Sequence, residues 1–132
     1  MKNKIGIALV VIGLGHTTIG FLRFLDVFGA MFSEGLVSTG DGEVRGWAFW
    51  FIYTGVFMIA LGITVRAIEM LGAAVPKLLG WVLLVSSVSG VVVFPVSGFW
   101  LIFAVSLLIL LGGKQPPKDQ VTRVAEREGN EV

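Results

Sequence analysis

Long apolar runs alternate with short polar gaps along this chain. About twenty apolar residues follow Lys4, and similar runs recur until Leu111. A helix needs about 20 apolar residues to cross a hydrocarbon core about 30 Å thick, so each run predicts a membrane span. The four predicted spans are roughly residues 5–24, 47–65, 78–94 and 96–111. The pattern therefore predicts an all-α fold, an integral membrane four-helix bundle.

The boundary between the third and fourth spans depends on length. Residues 78–111 are almost uninterrupted in their apolar character. A single helix of that length would extend about 50 Å at 1.5 Å per residue, well beyond the hydrocarbon thickness. Pro95 and Gly98 therefore predict a tight hairpin, with Trp100 anchoring its tip at the outer interface.

Composition and charge agree with a multi-pass membrane protein. Of 132 residues 55% are hydrophobic and 14% are charged, and the mean hydropathy is +0.90, where a soluble domain lies near zero or below. Four spans put both termini and the central gap on one side, and the outer side keeps Arg23 and Arg45. The positive-inside rule then places both termini in the cytoplasm and the protein in the inner or plasma membrane. The basic residues on the cytoplasmic side are Lys2, Lys4, Arg66, Lys77, Lys114, Lys118, Arg123 and Arg127.

The chain divides into a bundle over residues 1–113 and a polar cytoplasmic tail over residues 114–132, which we expect to be disordered. The external loop, residues 25–46, is long and rich in glycine, and it is either a functional loop or a flexible connector. A signal peptide is an alternative for the first span, because Lys2 and Lys4 precede its apolar stretch. The length of that stretch and the presence of His16 and Arg23 favour a span that stays in the protein.

The sequence lacks the residues that several classes of function require. The sequence has no cysteine and one histidine, which removes thiolate catalysis, cysteine-bound metals and a zinc site built from two histidines. It contains no phosphate-binding loop, nucleophile elbow or pair of carboxylates within a span. A net charge of +1 without a basic patch argues against nucleic acid. We therefore expect a protein that is not an enzyme and has no cofactor and no metal.

His16 is the ionisable side chain nearest to mid-membrane. At 100° per residue, His16 and Arg23 fall on one helical face, which we expect to look into the bundle. The functional interpretation is a residue that binds a ligand, carries a proton or ligates haem. Proton transport lacks a carboxylate partner, since Glu69 is assigned to the inner loop, and haem lacks a second histidine. The structural interpretation is a hydrogen bond to a serine or carbonyl of a neighbouring helix.

Four further residues complete a candidate ligand site with His16. Arg23 either forms a local ion pair with Asp26 or turns inward. In the second case Arg23 and His16 give an outward-opening cavity two groups suited to a carboxylate or carbonyl head. Trp50 and Thr54 lie on one face of the second span, where the aromatic residues also fit an interfacial belt. Ser86 of the third span lies on a polar seam that we expect to hydrogen-bond His16.

Glycines at seven-residue intervals predict close helix contacts. The period suits a neighbouring helix crossing at about +20°, because small residues let two backbones approach. The predicted packing positions, in the first, second and third spans, are Gly13, Gly20, Gly55, Gly62 and Gly90.

Three motifs stand out together: Gly13-x-x-His16-x-x-x-Gly20 in the first span, a second span that begins at Trp47, and the hairpin at Pro95. This layout resembles the small bacterial DoxX-like membrane proteins. The resemblance covers residues 5–111. It implies a four-helix bundle, and it carries over no functional residue.

The sequence thus predicts a membrane protein that binds or passes a small lipophilic molecule in an outward-facing cavity. Its partners would be the lipid bilayer, that ligand and, in a homo-oligomer, further copies of the chain. One alternative is an accessory or assembly subunit whose glycine faces contact a partner. Another is a small multidrug-type transporter inserted in both orientations, against which the bias of basic residues argues.

Overall fold

A computed structural model describes residues 4–35 and 42–112, and this part of the chain is helical with no strand. The prediction of an all-α fold is confirmed. The tail predicted for residues 114–132 lies outside the described residues. The five helices are α1 (Ile5–Arg23), α2 (Leu25–Glu34), α3 (Glu43–Met70), α4 (Lys77–Val93) and α5 (Phe99–Gly112).

The described part of residues 25–46, which we predicted to be an external loop, is largely helical, and the described helices number five rather than four. Helix α2 follows α1 almost without interruption, since the Phe24 N–H donates to the Gly20 carbonyl at 3.1 Å and the Phe28 N–H to the Phe24 carbonyl at 3.0 Å. Phe28 also stacks on Phe21, with ring centroids 5.8 Å apart. These contacts extend the helix past the glycine Gly29, which we took for loop sequence.

Helix α3 begins four residues before the predicted start and ends five residues after the predicted end. The charged residues at its two ends, which we placed in loops, continue the helix. The turn into α4 follows at Gly72, whose φ of 73° lies in the left-handed region that glycine adopts at low cost.

Helices α1 and α3 pack antiparallel along most of their lengths. Their contact uses the glycines at seven-residue intervals, and it brings backbone against backbone. A Cβ added at Gly13 would lie 3.0 Å from the Gly55 carbonyl oxygen and 2.9 Å from the Ile59 nitrogen. A Cβ added at Gly62 would lie 2.7 Å from the Val10 nitrogen. No larger residue fits at these positions without moving a helix.

Helices α4 and α5 form the second hairpin, also antiparallel. The connection, residues 94–98, is closed by a hydrogen bond from the Trp100 indole N–H to the Pro95 carbonyl at 3.0 Å. Gly80 of α4 lies against the side chains of Ile109 and Leu110 of α5. Gly90 lies against the ring of Phe99.

The two hairpins meet in one hydrophobic core at the end of the molecule where α1 begins. In α1 the core runs from Ile5 to Ile12, and in α5 it runs from Ile102 to Ile109. Helix α3 contributes Met58, Leu61 and Val65, and the segment around α4 contributes Val75, Leu79 and Leu83. All four helices that we predicted as spans therefore contribute residues to this core.

Helices α1 and α3 are long and apolar enough to cross a membrane, and α4 and α5 are shorter apolar helices. Large apolar side chains cover much of the exposed surface of all four, and they include Phe57 of α3, Val85 of α4 and Leu108 of α5. Such a surface is costly in water and ordinary in lipid.

Candidate functional site

His16 lies one helical turn outward of the last core residue of α1, Ile12. Its imidazole stacks on the ring of Phe51 of α3, with centroids 4.0 Å apart and planes inclined by 9°. The Nε2 atom is enclosed and has no hydrogen-bond partner among the described residues. The neighbouring Gly20 and Gly13 bring α3 close enough for this stack. His16 therefore holds a polar nitrogen in an apolar contact, which is costly unless a partner is supplied.

The face of α1 that forms the core continues outward as an uncovered surface. Ile5 and Leu9 are buried on this face, and His16 follows at the same angular position, half-buried. Ile19 and Arg23 come next along the face, and both are exposed. The α4–α5 hairpin thus covers the inner half of this face and leaves the outer half open.

The corresponding face of α3 is likewise buried at one end and exposed at the other. Val65 is buried in the core, while Thr54 and Trp50 lie further outward on that side of the helix and are exposed, Trp50 by 64%. The Thr54 hydroxyl donates to the Trp50 carbonyl at 2.8 Å. Because α1 and α3 are in contact, the outer halves of their two open faces adjoin. We call this exposed surface the outer cleft, and we define it by His16, Ile19, Arg23, Trp50 and Thr54.

Ser86 does not pair with His16. It is exposed on α4, whose extensive contacts are with α5, and the buried serine of this region is the next residue, Ser87. Ser87 donates to the Leu84 carbonyl at 2.9 Å within its own helix. The expected hydrogen bond is not formed because Ser86 is on the exposed side of α4, whereas the residues of this segment that join the shared core are Val75, Leu79 and Leu83.

The ion pairs of the outer end also differ from the prediction. In the described part of the chain, Arg23 forms no ion pair with Asp26, and both side chains are exposed. Glu34 of α2 instead accepts two hydrogen bonds of 2.7 Å from the Arg45 guanidinium. This arginine holds the pKa of the Glu34 carboxyl below its usual value. The pair joins the end of α2 to the start of α3.

Two residues that matter for this arrangement were missed by sequence reasoning. Phe51, the stacking partner of His16, lies between Ala48 and Gly55 on the glycine face, and that face could have indicated it. Glu69, which we placed in the inner loop, lies in the last turn of α3 with its side chain 4% exposed. It accepts a hydrogen bond of 2.8 Å from the Ile5 N–H and contacts Arg66 at 3.4 Å, so it caps the start of α1.

Fold and site together define an all-α protein in which two helices are long and apolar enough to cross a membrane. A family model described as a family of unknown function, DUF6463, matches residues 1–116, and the chain belongs to this family. No curated protein and no solved structure matches the chain. The resemblance to DoxX-like proteins stays a prediction, and the family match carries no functional residue.

Proposed function

We propose that this protein is a multi-pass protein of the inner or plasma membrane that binds, and passes on, a small lipophilic molecule in the outer cleft. It is not an enzyme in this proposal. The spans are α1, α3, α4 and α5, and both termini lie in the cytoplasm. The observation that carries the proposal is the Nε2 atom of His16, which is enclosed and has no hydrogen-bond partner among the described residues. His16 lies at the edge of the outer cleft.

Charge and surface support the membrane arrangement. The basic residues Lys4, Arg66 and Lys77 lie at the inner ends of three helices, as the positive-inside rule requires for cytoplasmic ends. Helix α5 has 14 residues and is about 21 Å long, so it spans a bilayer about 30 Å thick with local thinning or with the help of its flanking residues. The outer part of the α1–α3 pair, at Ile19 and Thr54, is exposed.

The cleft itself has the character of a ligand site. Its walls are apolar or aromatic, through Ile19 and Trp50, and its polar groups are few, as in most small-molecule sites. An unsatisfied buried nitrogen costs about 1–3 kcal/mol. In this proposal the imidazole turns out of its stack on Phe51 when the ligand binds, so that a ligand hydroxyl or carbonyl reaches Nε2.

The test is native mass spectrometry of the protein purified in mild detergent, together with an absorption spectrum of the same sample. The wild type is compared with His16→Ala and with His16→Phe. The phenylalanine keeps an aromatic ring on Phe51 and removes both ring nitrogens, so it separates loss of recognition from loss of packing. We expect a bound small molecule in the wild type that both variants lose, while His16→Phe keeps the thermal stability of the wild type.

Apo protein in the wild-type sample would overturn the proposal, and so would equal ligand retention in His16→Phe. A defined complex with another chain, and no small molecule, would instead favour the accessory-subunit alternative. That alternative has lost part of its predicted surface, because Gly13 and Gly55 face each other within one chain and are not open to a partner.

A further inference from the structure

Among the described residues, Arg23 is the cation of the outer cleft that forms no ion pair with a carboxylate. In the described part of the chain, the outer end carries two arginines, and Arg45 is bound by Glu34 through two hydrogen bonds. Arg23 is exposed and takes part in neither of the two ion pairs found there. Asp26 is three residues away, in the first turn of α2, and it forms no ion pair with Arg23.

The depth of Arg23 matches the outer boundary of the hydrocarbon. Arg23 follows Lys4 by nineteen positions, a rise of about 28 Å, against a hydrocarbon thickness of about 30 Å. Its neighbours Ile19 and Leu22 are exposed apolar side chains. The guanidinium is therefore placed where the polar head of an amphiphile meets its chain.

Arg23 also lies in line with His16. Both residues occupy one face of α1, seven positions and thus about 10 Å apart along the helix axis. Between them the cleft exposes Ile19 of α1, and Thr54 and Trp50 border it on α3. A single alkyl chain running inward from Arg23 would pass along Ile19 and reach the imidazole.

We propose that the ligand is a single-chain amphiphile with an anionic head, a carboxylate or phosphate, and that Arg23 is the residue that selects for this charge. A guanidinium binds either head through two parallel hydrogen bonds. This inference rests on the proposed function, since it names the class of ligand for the same cleft. A bilayer phospholipid offers the same phosphate chemistry, so the experiment has to separate the two sources.

The experiment uses the full chain reconstituted in phosphatidylcholine vesicles and follows tryptophan fluorescence. The probes are a brominated undecanoate and its methyl ester, because bromine quenches an indole that it approaches and Trp50 borders the cleft. Trp47, Trp81 and Trp100 are also exposed, so they are replaced by phenylalanine in every protein compared. Binding is measured for the wild type, Arg23→Gln and Arg23→Lys. The matched control is Lys77→Gln, which removes an exposed positive charge from the opposite end of the molecule.

We expect Arg23→Gln to weaken binding of the acid about tenfold, the loss of one charge-assisted hydrogen-bonding group. Arg23→Lys keeps the charge but cannot form two parallel hydrogen bonds, so its affinity for the acid should lie between those of the wild type and Arg23→Gln. Lys77→Gln should bind like the wild type. The ester should bind all four proteins equally, which also shows that the cleft is intact in the arginine variants.

Two results would overturn the inference and leave the proposed function standing. One is an acid affinity that is unchanged in Arg23→Gln while both probes still bind. The other is quenching by brominated phosphatidylglycerol that depends on Arg23 while quenching by the undecanoate does not, which would assign the arginine to a bilayer lipid. If neither probe quenches the wild type and no molecule is retained in mild detergent, the proposed function fails as well.

Discussion

The two hairpins of this protein are held together by different means. In the α1–α3 hairpin, glycines on both helices bring backbone against backbone, as Gly13 and Gly55 do. In the α4–α5 hairpin, the glycine Gly80 meets the ends of leucine and isoleucine side chains. A backbone contact cannot yield without separating the helices, whereas a side chain can change rotamer. The first hairpin is therefore the rigid part of the molecule, and the second is the adaptable one.

The extent of the contact between the two hairpins shows where the candidate site lies. The shared core takes α1 as far as Ile12 and α3 from Met58 onward. The short hairpin covers the inner half of the long one, and the cleft begins where this cover stops. His16 marks that boundary, because its ring rests on the rigid pair while its neighbours on the outward side are exposed.

The largest expected effect would break the rigid hairpin. Gly13→Leu inserts a side chain where a Cβ already lies 2.9 Å from the Ile59 nitrogen, so α1 and α3 must move apart. We expect a loss of about 3 kcal/mol or more, at the upper end of overpacking costs. Gly15→Leu is the matched control, since a Cβ at Gly15 meets nothing within 4 Å. Reversible unfolding in mixed micelles, followed by circular dichroism, measures both. Equal stability of the two variants would contradict the described packing.

The sequence was informative about the rigid hairpin for a physical reason. A seven-residue glycine period such as Gly6, Gly13 and Gly20 is a local pattern with a single geometric meaning, close approach of a neighbouring helix. Helix ends were predicted less well, because the charged residues Glu43 and Glu69 were assigned to loops although each continues a helix. Pattern alone does not reveal that Glu69 finds the free N–H of Ile5, sixty-four positions away.

The candidate site was predictable only in part. His16 and Arg23 share one helix, and helical periodicity alone placed them on one face. The partners on other helices depend on depth and rotation, which periodicity does not give. Ser86 is therefore exposed and is not the partner of His16. The partner is Phe51, which the interpretation of this region as an aromatic belt did not identify.

A second, smaller effect concerns the cap that joins the two ends of the rigid hairpin. Glu69→Ala leaves the Ile5 N–H without its acceptor and Arg66 without its partner. Hydrogen bonds to charged groups contribute about 1.5–3 kcal/mol, so we expect a loss of about 2 kcal/mol. Glu69→Gln keeps an acceptor oxygen for Ile5 and should recover most of it. The same unfolding assay measures the stability of both variants. If Glu69→Gln is as unstable as Glu69→Ala, the effect comes from the ion pair with Arg66 instead.

The adaptable hairpin should tolerate what the rigid one does not. Gly80→Ala places a methyl group 2.9 Å from Cδ2 of Leu110 and 3.0 Å from Cγ2 of Ile109, which are side-chain and not backbone atoms. We expect a loss of about 1 kcal/mol or less, because those side chains can shift. Gly13→Ala, whose Cβ meets backbone, should cost more in the same measurement. The contrast between the hairpins would be lost if the two alanine variants were equally destabilised.

The smallest effect is the response of the outer end of the rigid hairpin to acid. The Arg45 guanidinium lowers the pKa of Glu34 in the folded protein, so the unfolded state binds more protons as the pH falls. The stability that the pair contributes is therefore present above the unfolded carboxyl pKa of about 4.3 and is lost as the pH falls through the lower, folded value. We expect the link between α2 and α3 to weaken below about pH 4.3, seen as a lower protection factor, the ratio of intrinsic to observed amide exchange rate, at Glu34 and its neighbours. In Glu34→Gln the protection factor should not fall with acid, while Glu43→Gln should behave like the wild type. A pH response in Glu34→Gln equal to that of the wild type would show that another group fastens this end of the hairpin.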